Sequence, residues 1–282
     1  MKMRHKNKHQ ENFPVGMMLF GKEKRQIVND YYQFARYADD IADNPDIKPQ
    51  KKVEKLYELE DIFLRNKPYK GQKLKFAVNL RNEFDRFGLA TSAATDLLIA
   101  FRKDSMGFDY QTWGQLVDYC KYSAAPVGRF MLAIHDENPS TYLPATALCI
   151  ALQIVNHIQD IKYDDDVLKR LYLPAEMMKK YHVTRDDLLK DKSTLGLKKL
   201  IEKIMDLTRG LLKDGSVLPE IIRSRSLRAE VCIILSLTNI MIKKILKGDV
   251  LAQQIKLSKW DWFRAIIAGI FKAATTKTKT LS

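Results

Sequence analysis

The sequence predicts an all-α protein, and three observations carry the prediction. The 282 residues include only 12 Gly and 9 Pro, so residues that interrupt helices are sparse. Runs that alternate polar residues with Val, Thr or Tyr, as strands do, are almost absent. Long segments instead repeat apolar residues at helical spacing between short turn signals. Because no internal repeat, low-complexity block or long linker occurs, residues 1–282 are predicted to form a single helical domain.

Turn signals bound the first four predicted helices, which cover residues 17–43, 50–65, 74–87 and 93–103. Pro45 follows the first, and proline disfavours helix in the residue before it. The second ends before a turn at residues 66–68. Gly88 follows the third, as glycine commonly does after a helix. Thr91 or Ser92 can cap the fourth.

The C-terminal part continues in the same way, with predicted helices at 112–134, 144–165, 195–213, 226–246 and 260–273. Pro126 and Gly128 interrupt the first of these. That kink either opens space for a long hydrocarbon or is a packing irregularity. Residues 168–180 are predicted to form a loop and a short helix, and Thr184 is typical of a further helix start.

Composition limits the classes of function. A net charge of +14 favours anionic partners, unless it reflects only a lysine-rich composition. Nucleic-acid binding is disfavoured because the lysines are dispersed and no recognised motif occurs. No stretch of about 18 apolar residues predicts a transmembrane helix, and the basic N-terminus does not resemble a secretory signal. Three cysteines, an odd number without metal-ligand spacing, indicate reduced core residues of a cytoplasmic protein.

Two acidic clusters more than a hundred residues apart are the most informative motifs. Asp39 and Asp43 are four residues apart, so on a helix they share a face and repel each other. The second stripe consists of Gln153, Asn156, Asp160 and Asp164. Both stripes lie on otherwise apolar segments, so they are predicted to line an internal cavity, because buried carboxylates need cation partners. Facing each other they would suit Mg²⁺, whereas the alternative is two solvated acidic faces.

Charged neighbours of the two stripes have more than one interpretation. Arg36, one turn before Asp39, can donate bidentate hydrogen bonds to phosphate or form a salt bridge with Asp39 or Asp40. Asp40 is rotated by about 100° from Asp39 and is the weaker ligand candidate. Asp165 and Asp166 lie off the second stripe and are predicted to face solvent.

The residues carry a resemblance to the squalene/phytoene synthase family. Residues 34–43 resemble its first aspartate-rich motif, and the stripe from Gln153 to Asp164 resembles its second. Residues 118–129 and 171–174 resemble two further segments, and the likeness runs in order from about residue 11 to about residue 246. The resemblance implies the helical isoprenoid synthase fold with a central cavity, an isoprenoid diphosphate substrate and Mg²⁺.

One branch of the family fits best. Residues 11–15 and 122–129 resemble the hydroxysqualene-forming enzymes of hopanoid biosynthesis. This implies conversion of presqualene diphosphate and water to hydroxysqualene and diphosphate. The wider family has a Ser-Lys-Ser-Phe-like segment where Glu11 to Pro14 stand here. One alternative is condensation of two farnesyl diphosphates to presqualene diphosphate or squalene, and another is a catalytically idle helical binding or assembly protein.

The resemblance also assigns roles to individual residues. Arg36, Tyr119 and Tyr122 would be catalytic, with the tyrosine rings stabilising cationic carbon; without the resemblance the tyrosines are core residues. Diphosphate would be bound by Arg36, Gln153 and Arg170. The Mg²⁺ ligands would be Asp39, Asp43, Asn156, Asp160 and Asp164. His157 lies beside the second stripe and is predicted to be structural.

The C-terminal segment, residues 256–282, combines tryptophans and an apolar run with flanking basic residues. It is predicted either to lie on an anionic membrane surface or to form a last core helix. The predicted partners are therefore an isoprenoid diphosphate, a membrane surface and enzymes of the squalene or hopanoid pathway. The predicted location is the cytoplasm or the surface of its membrane, and the oligomeric state is left open.

Overall fold

The computed structural model describes residues 21–276, and within this range the chain is helical and contains no strand. This confirms the predicted fold class. The signature at residues 11–15 lies outside the described residues. The helices are α1 (Lys22–Asp43), α2 (Pro49–Phe63), α3 (Lys75–Arg86), α4 (Ser92–Met106), α5 (Trp113–Ser123), α6 (Ala125–Ala133), α7 (Tyr142–Gln159), α8 (Ile161–Asp166), α9 (Ala175–Lys180), α10 (Arg185–Leu188), α11 (Leu195–Gly215), α12 (Leu218–Ile221), α13 (Arg225–Lys247) and α14 (Lys259–Thr275).

The predicted interruption of the fifth helix is confirmed, but its centre lies elsewhere. Ala124, with φ −130° and ψ −40°, separates α5 from α6, and Pro126 occupies the first turn of α6. Gly128 lies inside α6, where an added Cβ would be 2.6 Å from the Cys149 sulfur of α7. The glycine therefore allows α6 and α7 to pack closely and does not make the break.

The prediction of one helix over residues 144–165 is wrong. The backbone departs from helical geometry at Asp160, with φ −99° and ψ 10°, so α7 and α8 are separate helices. The amide of Asp164 nevertheless donates to the carbonyl of Asp160 at 2.8 Å. Because this is a helical hydrogen bond, the one-turn spacing of Asp160 and Asp164 survives the break.

Helix α4 is one turn longer than predicted and carries a residue of the site in its last turn. Gly107, with φ +68°, ends it in the left-handed conformation that favours glycine. The helix therefore continues past Lys103 and includes Asp104. The extra turn brings the Asp104 carboxylate towards α5 and the segment after α8.

Two large hydrophobic clusters form most of the core, and a small third one lies between α13 and α14. One cluster is built by α1 to α4 together with Phe130 and Ile134 at the end of α6. The other is built mainly by α5, α7, α11 and α13. The three cysteines are free, as predicted, and Cys120 and Cys232 are buried.

Helix α7 lies at the centre of the second cluster and contacts α5, α6, α11 and α13. With the turn before it, Pro139–Gln159 (21 residues, mean hydropathy 1.2) is long and apolar enough to cross a membrane, a stretch that the sequence was not expected to contain. Half of the segment is buried inside the protein. That burial is typical of the core helix of a soluble protein.

Candidate active site

The first acidic motif ends α1. The apolar residues of this helix, among them Phe34, Ala38 and Ile41, are buried. Arg36 forms both predicted salt bridges: Nη1 lies 3.0 Å from Asp39 Oδ2 and Nη2 lies 2.9 Å from Asp40 Oδ1. The guanidinium therefore holds Asp39 on the inner stripe and the more exposed Asp40 beside it.

Asp39 and Asp43 are a strained pair of like charges. Burial raises the pKa of Asp39 to about 8, and the negative charge of Asp43 adds to the rise. The guanidinium groups of Arg36 and Arg170 oppose it. A third of the Asp39 side chain stays exposed, so an arriving cation can reach the carboxylate.

Arg170 connects the motif on α1 with α4. Its Nη1 donates to Asp43 Oδ1 at 2.6 Å and its Nη2 to the Ala42 carbonyl at 2.8 Å. Its Nε donates to the Asp104 carbonyl at 3.1 Å. A guanidinium has five N–H donors, so two are left for a diphosphate. Despite burial, the neighbouring carboxylates raise the pKa of Arg170 above its already high ordinary value.

Asp104 is the acceptor on which two buried tyrosines converge. The Tyr119 hydroxyl donates to Oδ2 at 2.8 Å, and the Tyr172 hydroxyl donates to Oδ1 at 2.9 Å. Burial raises the pKa of Asp104, whereas the Arg170 charge and the two hydroxyls oppose the rise. Burial and the Asp104 charge raise the pKa of both tyrosines well above 10, so the hydroxyls stay neutral donors.

The second motif reaches the same network through His157. Its ring stacks on Tyr172 with centroids 3.7 Å apart. Gln153 Nε2 lies 3.2 Å from His157 Nε2, and Asp164 Oδ2 lies 3.7 Å from Nδ1. If Gln153 donates to Nε2, the ring proton sits on Nδ1 and faces the Asp164 carboxylate. The structural role predicted for His157 is therefore specific: it links Gln153, Tyr172 and Asp164.

The oxygen donors fit a hard cation whose coordination shell is completed by a bound substrate. Within residues 21–276 no three His, Cys, Asp or Glu side chains come together as a metal-binding group. The Oδ1 atom of Asn156 is buried and has no hydrogen-bond partner among these residues. An unpaired carboxamide oxygen one helical turn before Asp160 suits Mg²⁺, which is often held by one or two carboxylates plus substrate phosphates.

Two other sequence interpretations meet a different environment. Asp165 is buried, against the prediction that it faces solvent, because Arg185 Nε lies 2.7 Å from its Oδ1 and connects α8 to α10. Asp166 is exposed as predicted. Tyr122 is partly buried, and the Lys103 ammonium lies 5.6 Å from its ring centroid. Its ring face therefore already interacts with a cation.

Sequence reasoning left Asp104 and Tyr172 without a committed role, although they form the centre of the network. Asp104 lies outside both acidic motifs, and Tyr172 was noted only as part of the segment at residues 171–174. One signal was available: an acidic residue in the last turn of a helix, shortly before an aromatic cluster at Tyr110 and Tyr119. Their rings pack 5.2 Å apart beside Tyr172.

The chain belongs to the squalene/phytoene synthase family, whose model matches residues 6–261. It is an enzyme of this family, because curated enzymes match most of its length. A hydroxysqualene synthase of Zymomonas mobilis is 37% identical over 256 residues, which cover 90% of this chain and 85% of the relative. One of Sinorhizobium fredii is 34% identical over 249 residues, covering 88% of this chain and 84% of the relative.

Solved structures agree with the fold. A dehydrosqualene synthase superposes with a TM-score of 0.75 and 24% identity, covering 91% of this chain and 89% of that one. The squalene synthase HpnC of Alicyclobacillus acidocaldarius has a TM-score of 0.72 and 26% identity, covering 83% and 87%. These similarities confirm the predicted isoprenoid synthase fold.

Proposed function

We propose that the protein converts presqualene diphosphate and water to hydroxysqualene and diphosphate in a Mg²⁺-dependent reaction. The observation that carries the proposal is the match, over most of the chain, to curated hydroxysqualene synthases. The two acidic motifs, joined through Arg170, Asp104 and His157, support it as a site for a diphosphate and its cations.

The metal would be held by Asp39, Asp43, Asn156, Asp160 and Asp164. The chemistry that Mg²⁺ supplies when bound is neutralisation of charge on the leaving diphosphate. Arg36 and Arg170 add fixed positive charge beside the same carboxylates, and Arg170 keeps two donors for phosphate oxygens. The Gln153 amide is held by His157 and would orient towards the diphosphate from the second motif.

The buried aromatic rings would stabilise the carbocation that remains. Asp104 fixes Tyr119 and Tyr172 through their hydroxyls, so their rings cannot turn away from the site. Because both stay neutral, they offer π-electron density and no nucleophilic phenolate. Tyr122 would contribute its ring from the next turn of α5. The surrounding apolar side chains would exclude all water except the molecule that ends the reaction.

The assay that tests the proposal compares two substrates. Purified protein with Mg²⁺ is incubated with presqualene diphosphate or farnesyl diphosphate in ¹⁸O-water, with and without NADPH. We expect presqualene diphosphate to give an ¹⁸O-labelled alcohol without NADPH. An unlabelled hydrocarbon, or an absolute requirement for NADPH, would overturn the proposal.

The second candidate function is condensation of two farnesyl diphosphates, favoured by the likeness in fold to a dehydrosqualene synthase. It predicts consumption of farnesyl diphosphate in the same assay. Turnover of neither diphosphate by folded protein would contradict both functions.

A further inference from the structure

Helix α14 attaches to the rest of the protein through its small residues. Ala265 and Gly269 are its buried positions, and Ala265 packs with Ile233 and Leu237 of α13. A Cβ added at Gly269 would be 2.5 Å from Ile233 Cγ1 and 2.8 Å from the Ile233 amide nitrogen. The two helices are therefore in close backbone contact, and only small side chains fit between them.

The opposite face of α14 carries the large apolar residues. Placed at 100° per residue, they centre about 180° from Ala265. Their exposed fractions run from 38% to 73%, and they are Trp260, Phe263, Ile266, Ile267, Ile270 and Phe271. A core helix usually buries its large apolar side chains and exposes its small ones, and α14, although packed on α13, shows the reverse.

The helix is rigidly built in spite of this exposure. Ser258 and Asp261 form a reciprocal capping box at its first turn. Lys244 of α13 lies 2.7 Å from the Asp261 carboxylate and ties the same turn to the domain. The apolar face is therefore presented on a fixed helix.

A basic cleft of about 390 Å³ lies between α13 and α14, and Arg264 is its lining residue nearest the apolar face. Its charged lining residues are Lys243, Arg264 and Lys272, and Asn239 and Ser236 add polar groups. Among residues 21–276 none of the three basic side chains forms an ion pair. On the helix, Arg264 lies about 80° from the centre of the apolar face. When that face is immersed in a bilayer, this position places the guanidinium at the depth of the lipid phosphates.

We propose that α14 lies in the surface of an anionic phospholipid bilayer, with its apolar face among the acyl chains and the basic cleft around headgroup phosphates. The helix has 17 residues and is about 25 Å long, too short to span the hydrocarbon core. A symmetric dimer through the same face would place an Arg264 from each copy at the edge of the contact, with no acidic residue of α14 beside that face to pair with it. Charge complementarity therefore favours the bilayer over a second copy.

The test is sedimentation of the full-length protein with vesicles of phosphatidylcholine alone or with 30% phosphatidylglycerol, at low salt. We expect strong binding to the anionic vesicles. The variant with Lys243→Gln, Arg264→Gln and Lys272→Gln should bind them at least about fivefold more weakly, because Arg264 lies at the edge of the apolar face and a basic residue near an anionic leaflet contributes about fivefold. A control with Lys199→Gln, Lys203→Gln and Lys213→Gln on α11 loses the same charge and should change binding less than about threefold.

The apolar face is tested separately with Phe263→Asp and Ile267→Asp, which should abolish binding to both kinds of vesicle. Equal loss in the α11 control would reduce the interaction to net charge and overturn the proposal. A concentration-dependent dimer that Phe263→Asp dissociates, without vesicle binding, would overturn it in favour of a second copy. Because binding is measured without turnover, its failure leaves the proposed reaction intact.

Discussion

The acidic site and the basic cleft between α13 and α14 differ in whether their charged groups are already paired. At the ends of α1 and α4, Arg36 and Arg170 already pair with Asp39, Asp40 and Asp43, and Asp104 accepts two buried hydroxyls. At α13 and α14 the basic groups face solvent beside exposed aromatic rings. The acidic site would bind a ligand that enters the protein. The apolar face of α14 and the basic cleft would instead bind a membrane surface into which the helix inserts.

The largest effect is expected from removing the acidic ligand on α1. If Asp39 is a metal ligand as proposed, Asp39→Asn should reduce turnover of the preferred diphosphate by roughly 10³-fold, because it removes a charged cation ligand worth several kcal/mol. Steady-state kinetics at limiting Mg²⁺ measures this, with circular dichroism to confirm the fold. The matched control is Asp40→Asn, which breaks the other Arg36 salt bridge and should cost less than about tenfold. Equal effects of the two variants would refute the distinction between inner stripe and surface.

A smaller effect is expected on stability when the shared acceptor is lost. Asp104→Ala leaves the Tyr119 and Tyr172 hydroxyls buried without their acceptor, which should lower the free energy of unfolding by about 3 kcal/mol. Urea denaturation measures it. Adding Tyr119→Phe and Tyr172→Phe to this variant should recover part of the loss. Additive losses in the triple variant would show that the hydrogen bonds contribute little.

Glu230, a buried acid on α13, predicts that the free energy of unfolding depends on pH. Burial raises the pKa of Glu230 to about 8, and its Oε2 has no hydrogen-bond partner among residues 21–276. The pKa of Glu230 is higher in the folded protein than in the unfolded chain. The contribution of the protonated side chain to the free energy of unfolding is therefore fully present below about pH 4 and is lost as the pH rises to about 8. Glu230→Gln should therefore stabilise the protein by about 2 kcal/mol at pH 8.5 and by little at pH 4.5.

Urea denaturation at both pH values checks this effect. The exposed Glu202→Gln is the control and should show no such difference between the two pH values. If Glu230→Gln changed the free energy of unfolding by the same amount at pH 4.5 and at pH 8.5, the buried, protonated state would be contradicted.

The smallest effect is expected on the outer face of α14. Phe263→Ser and Ile267→Ser should change the free energy of unfolding by less than about 0.5 kcal/mol, because both side chains are already exposed. Phe130→Ala in the core should cost about 3–5 kcal/mol and provides the contrast. Thermal denaturation without lipid compares them. A loss of several kcal/mol on α14 would mean that its apolar face stabilises the folded domain.

The sequence predicted regular elements well and predicted interruptions less well. Helical periodicity located most of the helices, because it reflects burial of one face, which depends on local spacing. The break at Asp160 has no glycine or proline to announce it. The role of Asp104 depends on hydroxyls 15 and 68 residues away, so no local pattern could reveal it. The face of α14 that packs on α13 was equally hard to predict. Its buried residues are small, whereas helices usually bury their large apolar residues.

The ends of three helices give the site a further property. Helix α1 ends at Asp43, α4 just past Asp104 and α7 next to Asp160, and contacts through Arg170, Tyr172 and His157 bring these three carboxyl termini to one region. Each terminus carries the equivalent of about half a negative charge from its aligned peptide dipoles. Helix α1 has no basic residue of its own in its last turn, so only groups from elsewhere in the chain, Arg170 and Lys52 at the Ala42 carbonyl, offset part of this. A bare diphosphate therefore meets an unfavourable field, and we expect it to bind measurably only together with the cations that accompany it.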